Sequence, residues 1–275
     1  MMCAWQQLLH ILPGWLAGEV DMHEKKELQE IRLRLGALPE LKAATGSMWL
    51  NRSVSSEDLS FVVNAASRYS PWTAATVAQG FLTAAGGHRI GLCGDTVIKN
   101  GSVDGIRQIH SLCIRIARDY PGIGSAIAGY QGSILILGPP GSGKTTLLRD
   151  VLREISGTQT VCVVDERGEI FPDTFPRGKR MDVLSGCPKQ DGIDMVLRAM
   201  GPECIGVDEI TSEQDCVALI RAGWCGIRLI ATAHASSVHD LRQRPVYRKL
   251  AHCGLFDHIL VLNRDKSWHE ERIAI

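Results

Sequence analysis

Two hydrophobic patterns follow one another along the chain, and the change falls near residue 120. In the first part, Glu27-Leu28-Gln29-Glu30-Ile31-Arg32-Leu33-Arg34-Leu35 passes from a helical start into apolar/charged alternation. That alternation is the mark of a strand with one buried face. Ser55-Ser56-Glu57-Asp58-Leu59 reads as a helix start, with a serine cap and carboxylates at the positive end of the dipole. Leu59, Val62, Val63 and Ala66 follow at helical spacing. Gly86-Gly87-His88-Arg89-Ile90-Gly91-Leu92 is a glycine turn feeding a strand, and Ser111 to Arg118 alternates again. These are the elements of a small α/β domain.

Asp119-Tyr120-Pro121-Gly122-Ile123-Gly124 then breaks the pattern. Beyond it come short, continuous apolar runs: Ser133–Leu137, Val161–Val164, Cys204–Val207, Leu229–Thr232 and His258–Leu262, with helical stretches between. Continuous runs mean strands buried on both faces, as in a mainly parallel sheet with helices on each side. The expected division is residues 1–125 for an N-terminal α/β domain and 126–275 for the parallel-sheet domain. In such a sheet, ligands bind at the carboxyl ends of the strands.

Composition narrows the classes. The chain has 275 residues, 45% hydrophobic and 22% charged, which suits a folded protein of two modest domains or one large one. Thirty basic residues balance thirty acidic ones, and neither half hides an excess: 12 against 11 up to residue 130, and 18 against 19 beyond. Charge neutrality and few aromatics (5%) argue against nucleic acid as the main partner. No apolar run exceeds five residues, far short of the roughly 20 needed to span a bilayer. The first basic residue is Lys25, so the apolar start lacks the charged region of a signal peptide. Nine cysteines are scattered without CxxC spacing, which suggests neither zinc nor a disulfide framework. The expected compartment is the cytoplasm.

The chemistry begins directly after the first parallel strand. Gly138-Pro139-Pro140-Gly141-Ser142-Gly143-Lys144-Thr145-Thr146 fits G-x-x-x-x-G-K-[ST], the phosphate loop of nucleotide-binding proteins. Glycines let the backbone wrap a phosphate, and a helix over 145–155 would aim free N–H groups at the anion. Lys144 is the candidate for the β- and γ-phosphates, and Thr145 for Mg²⁺. Average residue frequencies place the bare pattern in roughly 1% of chains of this length, and the strand–loop–helix context lowers the chance further.

Hydrolysis also needs a metal anchor and a group that orients water. The strand Cys204-Ile205-Gly206-Val207 ends in Asp208 and Glu209: the first a candidate Mg²⁺ anchor through water, the second a candidate to polarise the attacking water. A second strand ends in Asp165-Glu166-Arg167-Gly168-Glu169. It follows the phosphate-loop helix too closely to be the favoured anchor, so Asp165, Glu166 and Glu169 are expected at the site edge or at a subunit contact. Leu229-Ile230-Ala231-Thr232-Ala233-His234 carries a histidine placed to sense the γ-phosphate. His239, His252 and His258 lack such a context and read as surface or packing residues.

Taken in order, these motifs resemble the secretion and pilus-motor ATPases. With Glu30-Ile31-Arg32-Leu33-Arg34, Gly86-Gly87-His88-Arg89-Ile90-Gly91 and Ile114-Arg115-Ile116-Ala117-Arg118, the chain resembles more closely the stage III sporulation protein AA family of endospore formers. The resemblance runs from about residue 25 to the C-terminus. It implies a RecA-like P-loop core behind a smaller α/β adaptor or oligomerisation domain. It also implies an ATP- and Mg²⁺-dependent hydrolase in which Glu209, Lys144, His234 and Glu166 serve catalysis. By the same resemblance the protein forms a homo-oligomeric ring of six, works in the mother-cell cytoplasm and reaches a membrane channel through protein partners. Arg89, Arg115 and Arg118 are the candidates for an arginine supplied to a neighbour's nucleotide. The acidic box departs from the proline-containing form of pilus motors, and the cysteine cluster some of them carry is missing. Two rival functions use the same core: a nucleic-acid translocase or helicase, and a nucleotide-gated assembly scaffold. A small-molecule kinase would want a basic lid, for which Pro176-Arg177-Gly178-Lys179-Arg180 is the one cluster.

Overall fold

The computed structural model describes residues 1–23, 25–43, 45–67 and 80–272. The chain divides into two compact units, one of residues 1–119 with 172–175, the other of residues 120–171 and 176–275.

The first unit is built on an antiparallel sheet: β1 (Leu28–Arg34), β2 (Glu40–Ala43), β3 (Gly46–Trp49), β4 (Phe81–Thr83), β5 (Arg89–Lys99) and β6 (Ser102–Arg115). Their order is β3-β2-β1-β6-β5-β4. Alternation in β1 buries Ile31 and Leu33, while Glu30, Arg32 and Arg34 face away. Ile31 and Leu33 join Leu41, Ile90, Leu112 and Ile114 in a core roofed by the helices Trp5–His10, Gly14–Asp21 and Ser56–Ser67. The last helix opens with reciprocal bonds: Asp58 N–H donates to Ser55 Oγ at 3.2 Å, and Ser55 N–H to Asp58 Oδ2 at 2.9 Å. β5 and β6 form one long hairpin, turned at Asn100 and Gly101, both with positive φ (51° and 78°).

The second unit holds β7 (Ile134–Leu137), β8 (Val161–Asp165), β9 (Met181–Ser185), β10 (Cys204–Ile210), β11 (Arg228–Ala233), β12 (His258–Leu262) and β13 (Trp268–Glu271). The order is β13-β12-β7-β11-β10-β8-β9, with every pairing parallel except β12–β13. The continuous apolar runs serve two cores at once. Ile134 and Ile136 of β7 join the helix Lys144–Ile155 on one face, and Leu135 and Leu137 join the helices Lys189–Ala199 and Glu213–Trp224 on the other. Gly206 on β10 permits the first of these contacts, since a Cβ there would lie 2.3 Å from Leu152 Cδ1.

Topology then places the site. After β7 the chain crosses through the Lys144–Ile155 helix to β8 and leaves two positions that β10 and β11 later fill. The carboxyl ends of β10 and β11 therefore open beside the loop that follows β7. β9 and β13 lie at the two edges of the sheet. Among the described residues, no helix is long and apolar enough to cross a membrane.

Candidate nucleotide site

The loop from Gly138 to Gly143 is shaped by close approaches that only glycine allows. A Cβ on Gly138 would lie 2.6 Å from Ser142 Oγ and 2.9 Å from the Leu262 carbonyl oxygen. Gly141 and Gly143 take φ values of +75° and +98°, in the left-handed region. Gly143 is the N-cap of the Lys144–Ile155 helix, and no side chain caps it. The helix thus begins with N–H groups free for an outside acceptor. The Ser142 hydroxyl is buried and has no hydrogen-bond partner. A phosphate group fits this cradle on all three counts: open backbone donors, an orphaned hydroxyl and no side chain in the way.

Lys144 is buried, and its Nζ donates to the carbonyls of Gly138 (2.9 Å) and Pro139 (3.0 Å) and lies 3.2 Å from His234 Nδ1. Burial lowers its pKa, against the opposite pull of Asp208 and Glu209. Thr145 Oγ1 donates to Asp208 Oδ2 at 2.6 Å, and Thr232 Oγ1 donates to the other Asp208 oxygen. A hydroxyl and a carboxylate are the hard oxygen ligands that Mg²⁺ takes beside a polyphosphate. Among the described residues, no group of three or more His, Cys, Asp or Glu could hold a metal alone.

Glu209 stands at the centre of a chain of contacts. Its backbone N–H donates to Thr232 Oγ1 at 2.7 Å, and its φ of +53° is rare for a residue with a side chain. His234 Nε2 meets Glu209 Oε1 at 2.6 Å, and Arg167 donates to Oε2 at 2.5 Å. Burial opposes ionisation of Glu209, but the His234 hydrogen bond and the Arg167 charge outweigh it and hold the carboxyl below its ordinary range. Lys144, His234, Glu209 and Arg167 therefore form one connected row from the phosphate loop to the end of β8.

The acids after β8 divide their work. Asp165 is buried and accepts the N–H groups of Glu169 (2.9 Å), Ile170 (2.9 Å) and Phe171 (3.0 Å). Burial pushes its carboxyl up against the lowering effect of these donors. Arg149, buried on the phosphate-loop helix, grips the same turn from the other side through the carbonyls of Glu169 (2.8 Å) and Ile170. Glu166 pairs with the buried Lys189 and lines a small cleft together with Asp208 and Glu209. Pro139, Pro140 and Thr146 complete the loop, and the Pro139 carbonyl also accepts the Ser142 N–H at 3.3 Å.

The three candidate arginines lie in the first unit. Arg89 stacks over the Phe81 ring (4.5 Å), and Arg115 lies 4.0 Å from Glu30. Arg118 holds the carbonyls of Lys25 (2.8 Å) and Leu28. Sequence reasoning missed Arg167, Arg149, Lys189 and Thr232 as site residues. Arg167 and Glu209 are 42 residues apart, and a strand order was needed to join them. For Thr232 the signal was available: it precedes Ala233 on a strand already read as polar at its end.

A family model described as "Sporulation stage III, protein AA" matches residues 6–272. The chain is 38% identical over 281 aligned positions to stage III sporulation protein AA of Bacillus subtilis (strain 168), an alignment covering 95% of this chain and 92% of that protein. Among solved structures it is similar to the ATPase DotB of Legionella pneumophila, with TM-score 0.62 and 18% identity over 94% of this chain and 79% of that one. It is also similar to the pilus retraction motor PilT with bound ADP, with TM-score 0.59 and 14% identity over 94% and 78% of the two chains. At these identities the structures speak for the fold, a RecA-like core preceded in the sequence by a smaller α/β unit.

Proposed function

The chain belongs to the sporulation stage III protein AA family, and from that premise we propose that it is a Mg²⁺-dependent ATP hydrolase. One observation carries the reading: Thr145 of the phosphate loop is hydrogen-bonded to Asp208, next to Glu209, at the end of a parallel strand. Loop N–H groups and Lys144 bind the polyphosphate. Thr145 and Asp208 hold Mg²⁺, which when bound offsets negative charge on the phosphates. Glu209 orients water, His234 fixes the Glu209 carboxylate, and Glu166 with Lys189 bounds the water's side of the cleft. The names of similar proteins, an ATPase and a pilus retraction motor with bound ADP, support the same chemistry.

The protein assembles as a homo-oligomeric ring, six subunits by resemblance, with the N-terminal unit as adaptor. That unit also supplies an arginine to a neighbour's nucleotide. Arg118 holds two backbone carbonyls and Arg89 stacks on Phe81, whereas the Arg115 side chain is 68% exposed, which favours Arg115 for this role. The work done is at a membrane-associated sporulation channel, reached from the cytoplasm through protein partners.

The test is phosphate release from ATP at a series of protein concentrations, with and without Mg²⁺. Release that needs Mg²⁺, is lost in Lys144→Ala and rises in specific activity as the protein assembles is the expected result. Tight ATP binding with no release would instead assign a nucleotide-gated scaffold, and strong stimulation by single-stranded nucleic acid a translocase.

A further inference from the structure

A second lysine reaches the phosphate loop from a part of the chain to which no motif points. The turn between β12 and β13 is closed by the Lys266 N–H donating to the Asn263 carbonyl (3.2 Å) and the Asn263 N–H to the Ser267 carbonyl (2.9 Å). Asp265 braces it, accepting from the Ser267 hydroxyl at 2.6 Å. Within this turn Lys266 has φ +73°, a conformation that side-chain-bearing residues seldom adopt. Its Nζ donates to the Gly141 carbonyl, and its Cδ lies 3.7 Å from where a Cβ on Gly143 would stand. The end of β12 touches the other end of the loop, where Leu262 O approaches Gly138.

The electrostatics give this placement a purpose. Lys144 and Lys266 both rest on carbonyl oxygens of the loop, at Gly138, Pro139 and Gly141. Among the described residues neither ammonium has a carboxylate partner. The nearby acids are engaged elsewhere, Asp208 by two hydroxyls and Glu209 by His234 and Arg167. Two cations held against one loop by neutral acceptors leave a local positive excess, and a polyanion's oxygens are stronger partners than carbonyls.

We infer that Lys266 is a second phosphate-binding lysine, which exchanges the Gly141 carbonyl for the polyphosphate of the bound nucleotide. This rests on the nucleotide-binding reading above and adds the β12–β13 turn to that site.

The test measures ATP and ADP binding to the full chain by titration calorimetry for the wild type, Lys144→Ala, Lys266→Ala and Lys266→Arg, with the unfolding midpoint of each variant taken without nucleotide. The expected result is about tenfold weaker ATP binding in Lys266→Ala, with most of the loss restored by arginine and an unchanged unfolding midpoint. The salt dependence of ATP binding should also be shallower in Lys266→Ala, because one cation fewer meets the anion. Wild-type affinity in Lys266→Ala would overturn the inference while leaving the site reading intact. A lowered midpoint accompanying the weaker binding would overturn it too, by making Lys266 a brace for the loop. A wild type that binds no ATP would remove both readings.

Discussion

Asp165→Ala separates two readings of the acidic turn after β8. Asp165 accepts three backbone N–H groups, from Glu169, Ile170 and Phe171. Ile170 and Phe171 are 0% and 2% exposed, so water cannot take over those two bonds, whereas Glu169 is only half-buried. A buried donor left unpaired costs about 1–3 kcal/mol, so the two together put the loss at roughly 2–5 kcal/mol after some relaxation. For a unit of about 150 residues that is a fall of roughly 10 °C in unfolding midpoint. Asp165→Asn keeps one carbonyl oxygen able to accept the two buried bonds and gives up only the Glu169 one, so it should lose well under half as much. Asp208→Ala removes the partner of two hydroxyls only and should cost less still. The assay is urea denaturation with hydrogen exchange at the amides of residues 169–171, which should lose protection in Asp165→Ala. Stability within about 1 kcal/mol of the wild type, with Mg²⁺-dependent nucleotide binding abolished, would refute the reasoning and make Asp165 the metal anchor.

Three further outcomes follow from single contacts. Arg167→Ala removes one of the positive charges that hold Glu209 ionised, so the Glu209 carboxyl should titrate at higher pH. Because an ionised Glu209 is required, the acid limb of the kcat profile should move up in pH, and a superimposable profile would exclude the contact from catalysis. His88 is fully buried, with Nε2 on the Ala4 carbonyl (3.0 Å) and Nδ1 accepting the Ala117 N–H (3.2 Å), and burial lowers its pKa. The unfolded chain then binds a proton that the folded one refuses. Stability should fall as pH drops below about 6.5, by up to about 1.4 kcal/mol per unit, and His88→Gln should lack that slope in denaturation curves. Gly124→Ala would bring a Cβ to 2.6 Å from the Val151 backbone nitrogen, so it should cost about 2–3 kcal/mol in denaturation midpoint, and a neutral result would contradict that close packing.

The parts of the fold that could be read from the sequence are those where one physical demand acts on consecutive residues. β7, β8, β10, β11 and β12 show as apolar runs because each alternately feeds cores on both faces of one sheet. β9 and β13 escaped because they are edge strands with half-exposed patterns and little apolar signal. The β5–β6 hairpin is longer than the alternation implied, since its outer half is exposed and free of periodicity, and the Asn100-Gly101 turn signal was passed over. The phosphate loop and Asp208-Glu209 were legible because their chemistry needs particular residues in sequence. Arg167 on Glu209 and Lys266 on Gly141 were not, because they are 42 and 125 residues from their partners and only the strand order joins them. Glu166 was expected at the site edge, but nothing in its neighbourhood announced that Lys189 would neutralise it.

The central claim is that Glu209 at the end of β10 handles water for a nucleotide held by the loop after β7. Glu209→Gln keeps the size of the side chain and an oxygen for His234 while removing the charge. Measured together, ATP binding and phosphate release decide the matter: the claim predicts binding within a few-fold of wild type and release lowered at least 100-fold, about 2.7 kcal/mol of transition-state stabilisation. Release at the wild-type rate with binding intact would contradict it.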